Sequence, residues 1–349
     1  MTLRRAAFAI PGDINTLTGG YIYERLLLGN LRSLGHDVTH IPLGASFPDP
    51  SPADMATAIE ALTALPQDRA LILDGLIYGS IDTDGLSRVT APIVAMIHHP
   101  LAKETGLTQA RQDHLFQTEK DNLALAAQVL VPSPHTAEIL MTEYAVPASR
   151  IHIAQPGTDP APGPRAPTDP PLILTVGIQH PRKGHDTLLR ALATLSDVPW
   201  RSVIAGSSHD AHYSQELAHM VQELGLSDRV TLAGNVPRDT LEGLYRDASV
   251  FALATRYEGY GMVFNEALAW GLPIVSCATG AVPQTVPKDA GLLVPVDAEA
   301  DLAAALRTVL TDADAYGAMQ NAALTAGRAL PSWMDTARVA SRVLNDLDP

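Results

Sequence analysis

Glu258 and Glu266 stand eight residues apart in the stretch Arg256-Tyr257-Glu258-Gly259-Tyr260-Gly261-Met262-Val263-Phe264-Asn265-Glu266. A carboxylate accepts hydrogen bonds from vicinal hydroxyls, so two of them along one ligand suit a sugar at one end and a ribose at the other. Gly259 and Gly261 place bare backbone amides at the start of a helix. That helix is predicted to run from near Gly261 to Gly271, with Pro273 leading into the next strand. Exposed amides at a helix start form an anion site. The spacing of two glutamates alone proves little; its place between a strand and a helix adds the weight.

A second group is Gly177-Ile178-Gln179-His180-Pro181-Arg182-Lys183-Gly184. Two adjacent cations at a helix entrance oppose the positive end of the helix dipole. An anion repairs that conflict, and a pyrophosphate is the natural candidate, with Arg182 as a fork and Lys183 as a point charge. The bland alternative is a solvated basic turn. A third group, from Pro11-Gly12 to Gly19-Gly20, opens another helix, and its glycines let a ligand approach the backbone. It does not match G-x-G-x-x-G, so no dinucleotide is implied. Finally, His98-His99 closes a strand ahead of Pro100.

Short apolar runs carry these groups at their ends. Candidate strands are 6–10, 38–43, 70–73, 93–97, 128–132 and 151–154 in the first half of the chain, and 172–176, 201–205, 229–232, 250–253, 273–276 and 292–295 in the second. Helix-like segments alternate with them. Nearly continuous apolar strands of this kind belong to parallel sheets covered on both faces. The pattern predicts two Rossmann-like, doubly wound α/β domains in tandem. Residues 156–171 hold Pro156, Pro160, Pro162, Pro164, Pro167, Pro170 and Pro171, which bars regular structure and reads as a linker. The expected division is therefore a first domain over 1–155, a linker over 156–171, a second domain over 172–330, and a C-terminal helix over 331–349 crossing back to the first domain. Trp333, Ala337, Ala340, Val343 and Leu347 give that last helix its packing stripe.

The chain has 349 residues, 46% hydrophobic and 18% charged, with a formal net charge of −14. That charge repels a phosphate backbone, so nucleic acid is not an expected partner. Cys277 is the single cysteine, which rules out an intramolecular disulfide and a Cys-rich metal site. Only residues 6–10 follow Arg4-Arg5 before Pro11-Gly12, too short for a signal-peptide core. A cytoplasmic location is expected. The charge gives no sign of docking on anionic lipid, and peripheral contact at the inner face of the membrane stays open. Asp82-Thr83-Asp84 matches D-x-D but lies in a turn beside Gly85, and His209-Asp210-Ala211-His212 reads as a solvated loop. Neither marks a metal site.

The stretch from Arg256 to Pro273 resembles the E-x7-E region of retaining glycosyltransferases of family 4, which have the GT-B fold. Further segments resemble the family in the right order: residues 177–192 its donor-phosphate turn, 230–245 the border of its base pocket, and Gly280-Ala281-Val282-Pro283 and 290–295 two later motifs. The resemblance covers most of the second domain and is diffuse in the first. It implies two domains facing across a cleft. Glu258 would bind donor-sugar hydroxyls and Glu266 the nucleotide ribose. Arg182 and Lys183 would neutralise the diphosphate, and Gly19 and Gly20 would reach it from the other domain. Gly177, Asn235 and Val236 would line the donor site, and Tyr260, Gly261 and Met262 would offer amides to it. His98, rather than His99, would approach the donor sugar.

The resemblance therefore implies a hexosyltransferase using a nucleotide diphosphate sugar, UDP-linked before GDP-linked, with no metal and no cofactor. The acceptor hydroxyl, on a lipid, glycan or other molecule, is unidentified, as is the oligomeric state. The alternatives are a nucleotide-sugar epimerase of the same architecture and a non-catalytic nucleotide-sugar-binding module. Two departures concern the pocket: Ala254-Thr255-Arg256-Tyr257 where the family often has Pro-Ser, and Gln284 where it often has Glu.

Overall fold

A computed structural model describes residues 3–347. They form two compact units, one made of the residues up to Gly157 together with those from Pro331, the other of Thr158–Leu330.

The first unit alternates β1 (Ala6–Pro11), α1 (Gly19–Ser33), β2 (Val38–Leu43), α2 (Pro52–Thr63), β3 (Ala70–Asp74), the short α3 (Gly75–Tyr78) and α4 (Thr83–Leu86), β4 (Ile93–Met96), α5 (Gln109–Leu125), β5 (Gln128–Val131), α6 (Pro134–Thr142) and β6 (Ile151–Ile153). Its six strands are all parallel, in the order β2-β1-β3-β4-β5-β6. β1, β3 and β4 are buried along their whole length, as their unbroken apolar runs require. Local chemistry starts the helices: Ser51 accepts from the Asp54 N–H ahead of α2, and Ser133 from the Thr136 N–H ahead of α6, each followed by proline at the first helical position.

The second unit runs β7 (Leu172–Val176), α7 (His185–Ala193), β8 (Arg201–Ala205), α8 (Ala211–Glu223), β9 (Val230–Gly234), α9 (Arg238–Asp247), β10 (Val250–Leu253), α10 (Met262–Ala269), β11 (Ile274–Cys277), α11 (Val282–Thr285), β12 (Gly291–Val294), α12 (Glu299–Thr311) and α13 (Ala313–Arg328). Its strand order is β12-β11-β10-β7-β8-β9, again all parallel. Numbered from β7, this is the 3-2-1-4-5-6 order of the Rossmann fold.

The last helix, α14 (Trp333–Asn345), belongs to the first unit, where it packs against α1. A reciprocal capping box between Ser332 and Asp335 starts it. Its Trp333 ring meets Tyr23 edge-on at 5.6 Å, Thr336 Oγ1 donates to the Gln155 carbonyl at 2.6 Å, and Ser341 Oγ lies 2.7 Å from His36 Nε2.

Two local expectations change. The proline-rich stretch is not a detached linker: from Thr158 onward it is part of the second unit. Its backbone donates from Ala166 to the Arg246 carbonyl and from Thr168 to the Asp247 carbonyl. Arg165 bonds the Gly271 carbonyl at 2.7 Å and the Tyr316 hydroxyl at 2.6 Å. Proline bars a sheet ladder but leaves carbonyls and neighbouring side chains able to strap the stretch down. The segment around Asp210 is a helix start rather than a solvated loop, because Asp210 accepts from the Tyr213 N–H and caps α8. Asp82 of the D-x-D match likewise caps α4 by accepting from the Gly85 N–H.

Candidate functional site

In open parallel sheets ligands gather beyond the carboxyl ends of the strands, where the winding reverses direction. In the second unit that reversal falls between β7 and β10. The two loops leaving them carry Arg182-Lys183 and Glu258.

Lys183 Nζ lies 2.6 Å from Glu258 Oε1, and Arg182 NH1 lies 3.8 Å from Oε2. Arg182 NH1 also donates to the Tyr257 carbonyl at 3.1 Å. Thr255 Oγ1 sits 3.0 Å from Glu258 Oε1. Burial works against the Glu258 charge, but Lys183, Arg182 and these hydrogen bonds outweigh it and hold the carboxyl below its usual range. The group is an ionised cluster whose two cations are partnered by the glutamate.

The two loops are joined behind this cluster. The Arg256 N–H donates to the Arg182 carbonyl at 2.8 Å. The Arg256 guanidinium grips Asp186 on α7 through two bonds, of 3.0 and 2.9 Å, and reaches Asp297 at 2.8 Å. Arg256 thus turns a departure from the family pattern into a clamp between the β7 and β10 loops. Gly184 turns the chain into α7 at φ 62°, and a Cβ there would overlap the Ala254 carbonyl oxygen. Gly280, at φ 52°, also passes too close for a Cβ to the Glu258 carbonyl, which accepts from the Ala281 N–H at 2.9 Å.

Glu266, in the second turn of α10, is half-buried and accepts from the Tyr245 hydroxyl at 2.7 Å. Burial pushes its carboxyl up, against the lowering effects of that bond and of Arg238. Tyr245 is held by stacking, with Trp270 at 6.5 Å and Phe251 at 6.3 Å. Gly261 at φ 85° starts α10, Met262 is its first residue, and Tyr260 is buried just before it, its hydroxyl accepting from Asn265 at 2.6 Å. Asn235 and Val236 follow β9 at the carboxyl edge.

Gly177 follows β7. Its N–H is already committed to the Ala205 carbonyl at 2.9 Å. Its bare Cα instead leaves room for the Lys183 chain, since a Cβ would stand 3.4 Å from Lys183 Cδ.

In the first unit the winding reverses between β1 and β3. Gly19 and Gly20 open α1, and His98 follows β4. Gly20 and His98 are neighbours: a Cβ on Gly20 would stand 3.6 Å from His98 Cδ2. His99 points to a different partner, Glu104, at 3.1 Å. His98 faces Glu24 and Asp74, two buried carboxyl groups that the sequence alone did not single out. The signal was present: Glu24 interrupts the stripe Tyr23, Leu27, Leu28 and Leu31 on the buried face of α1, and Asp74 ends an otherwise apolar strand. Tyr245, Arg256 and Asp186 were also missed, since each acts through a partner distant in sequence.

Residues 161–325 match the family described as "Glycosyl transferases group 1". Among curated relatives, a D-inositol 3-phosphate glycosyltransferase of Mycolicibacterium gilvum is 36% identical over 174 residues, 46% of this chain and 39% of that protein. One from Kineococcus radiotolerans is 35% identical over 202 residues, 50% of this chain and 46% of that protein. The chain thus spans less than half the length of these relatives. Among solved structures, sucrose-phosphate synthase from Thermosynechococcus elongatus superposes with a TM-score of 0.83 at 22% identity, covering 97% of this chain and 98% of that one. Anabaena HepE, solved in complex with UDP and glucose, gives 0.78 at 15% identity over 99% and 100%. The GT-B class expected from the sequence is therefore the fold of this chain.

Proposed function

We propose that this protein is a retaining glycosyltransferase that moves a hexose from a nucleotide diphosphate sugar, UDP-linked in preference to GDP-linked, to an acceptor hydroxyl. The observation that carries the reading is the buried Lys183–Glu258 pair with Arg182 beside it, at the switch point of a Rossmann sheet. The match to glycosyl transferases group 1 covers Arg182, Lys183, Glu258 and Glu266 together.

In this reading Arg182 and Lys183 hold the diphosphate and Glu258 takes sugar hydroxyls. Glu266, steadied by Tyr245, takes the ribose. As the bond between the anomeric carbon and the phosphate oxygen breaks, its electron pair stays on the phosphate, where fixed cations and the α10 amides stabilise it. The acceptor oxygen bonds the same carbon on the face the phosphate leaves, and the acceptor proton passes to that phosphate. For His98, beside Gly20, the resemblance implies a donor contact. The reading needs neither a metal nor a protein base.

A panel of UDP- and GDP-hexoses scored for nucleotide release, then for transfer to candidate acceptors, tests the proposal. Glu258→Ala and Lys183→Ala should each abolish release while the protein stays folded. Full activity in either variant removes the assignment.

A further inference from the structure

The donor reading leaves Glu24 and Asp74 without a task. They are 1% and 3% exposed, on α1 and at the end of β3, beside His98. One ligating atom from each of the three lies within 4.8 Å of the others. The two carboxyl groups are hydrogen-bonded to each other, and Asp74 is anchored where its Oδ1 accepts from the Leu76 N–H at 2.9 Å. Glu24 Oε1 faces His98 Nε2 at 3.5 Å, and neither atom has a hydrogen-bond partner within the described residues. Tyr23 meets the His98 ring edge-on at 5.1 Å, which limits the planes the ring can adopt.

Two adjoining buried carboxyl groups cannot both be charged, so one proton bridges them. Burial raises both, Glu24 to about 7 and Asp74 well above its usual range, where the Glu24 charge adds to the rise. Glu24 Oε1 is the buried oxygen without a partner, and it faces an imidazole nitrogen.

We infer that Glu24, paired with Asp74, is a positioning residue for His98: its Oε1 holds the imidazole as the Nε2–H tautomer and leaves Nδ1 as its acceptor. A small rotation of the ring closes the 3.5 Å approach to a hydrogen bond. The neighbouring titratable group is Tyr21, raised to about 12 by burial and then by Asp74, Glu24 and Asp13, and so neutral below that. His98 is depressed by burial and lifted by Asp74, so negative charge on the pair governs how readily the ring takes a second proton. The catalytic consequence rests on the reading of His98 as a residue that touches substrate; the tautomer does not.

The test is nitrogen NMR on the full chain carrying 15N-histidine, with the His98 signals assigned by their loss in His98→Asn. Wild type is expected to show Nε2 protonated and Nδ1 bare at neutral pH. Glu24→Gln keeps an acceptor oxygen and removes the charge, so the tautomer should persist while the His98 midpoint shifts down. Glu24→Ala should admit the Nδ1–H form. A wild-type Nδ1–H tautomer would overturn the inference, as would a tautomer indifferent to Glu24→Ala. So would one equivalent of bound Mn²⁺ or Zn²⁺ lost in both Glu24→Ala and Asp74→Ala, for the three residues would then be ligands. Should Glu24→Ala not fold, the wild-type and Glu24→Gln spectra still decide. A chain that turns over no nucleotide sugar sinks the transferase reading and leaves the tautomer result standing.

Discussion

Lys183 and Glu258, 75 residues apart in sequence, meet at 2.6 Å with side chains only 12% and 7% exposed. Removing one member of such a pair strands the other charge inside the protein, at a cost of about 3 kcal/mol, while removing both costs less. Lys183→Met should therefore lose about that much stability, softened by Arg182, and the addition of Glu258→Gln should restore part of it. A double-mutant cycle by urea denaturation measures the coupling. Strict additivity of the two losses would show that the pair contributes nothing.

Glu119 provides a pH test away from the candidate site. It is fully buried, accepts from the Leu101 N–H at 3.1 Å, and is pushed by burial from 4.5 to about 8, against the lowering effects of its Leu101 and Tyr144 hydrogen bonds. Between those values the native protein holds a proton that the unfolded chain has lost, so stability falls as pH rises through the window. Inside that window, raising the pH by one costs roughly 1.4 kcal/mol. Glu119→Gln, which keeps the acceptor for Leu101, should flatten this decline and be the more stable protein near pH 8. Glu24, raised to about 7, leaves a decline behind that ends at lower pH. Parallel stability–pH curves for variant and wild type would refute the assignment.

Tyr245→Phe deletes the hydroxyl that bonds Glu266 at 2.7 Å and keeps the stacking with Trp270. A hydrogen bond to a charged group contributes roughly 1.5–3 kcal/mol. The variant should raise the Glu266 pKa further and weaken donor binding, seen as a higher KM for the nucleotide sugar with kcat less affected. An unchanged KM would separate Glu266 from the ribose.

Gly184→Ala places a Cβ against the Ala254 carbonyl oxygen at a backbone angle that L-residues avoid. The strain and overlap should cost at least ~2 kcal/mol and displace the Arg182–Lys183 turn. Gly163→Ala, with open space around it, should stay within about 0.5 kcal/mol of wild type. Denaturation midpoints of the two proteins decide the point, and equal midpoints would contradict the geometry.

Much of this protein follows from local pattern. Apolar runs such as Leu172–Val176 and Val250–Leu253 declare buried parallel strands because a strand covered on both faces has no polar side to show. Arg182, Lys183, Glu258 and Glu266 could be singled out because they follow strands toward the carboxyl edge of the sheet, where open parallel sheets gather ligands. The C-terminal stripe of Trp333, Ala337 and Ala340 likewise announced a packing helix.

What local pattern could not supply was who meets whom. The order β12-β11-β10-β7-β8-β9 sets the β10 loop beside the β7 loop, and only that adjacency makes a salt-linked cluster of Lys183 and Glu258 and a clamp of Arg256 and Asp186. The same holds for Glu24, Asp74 and His98, drawn from a helix and two strand ends of the first unit. It holds also for the proline-rich strap, whose partners Arg246, Asp247 and Gly271 lie far along the chain. Periodicity reports which side of an element is covered, whereas partners are chosen by strand order and packing, which are properties of the whole fold.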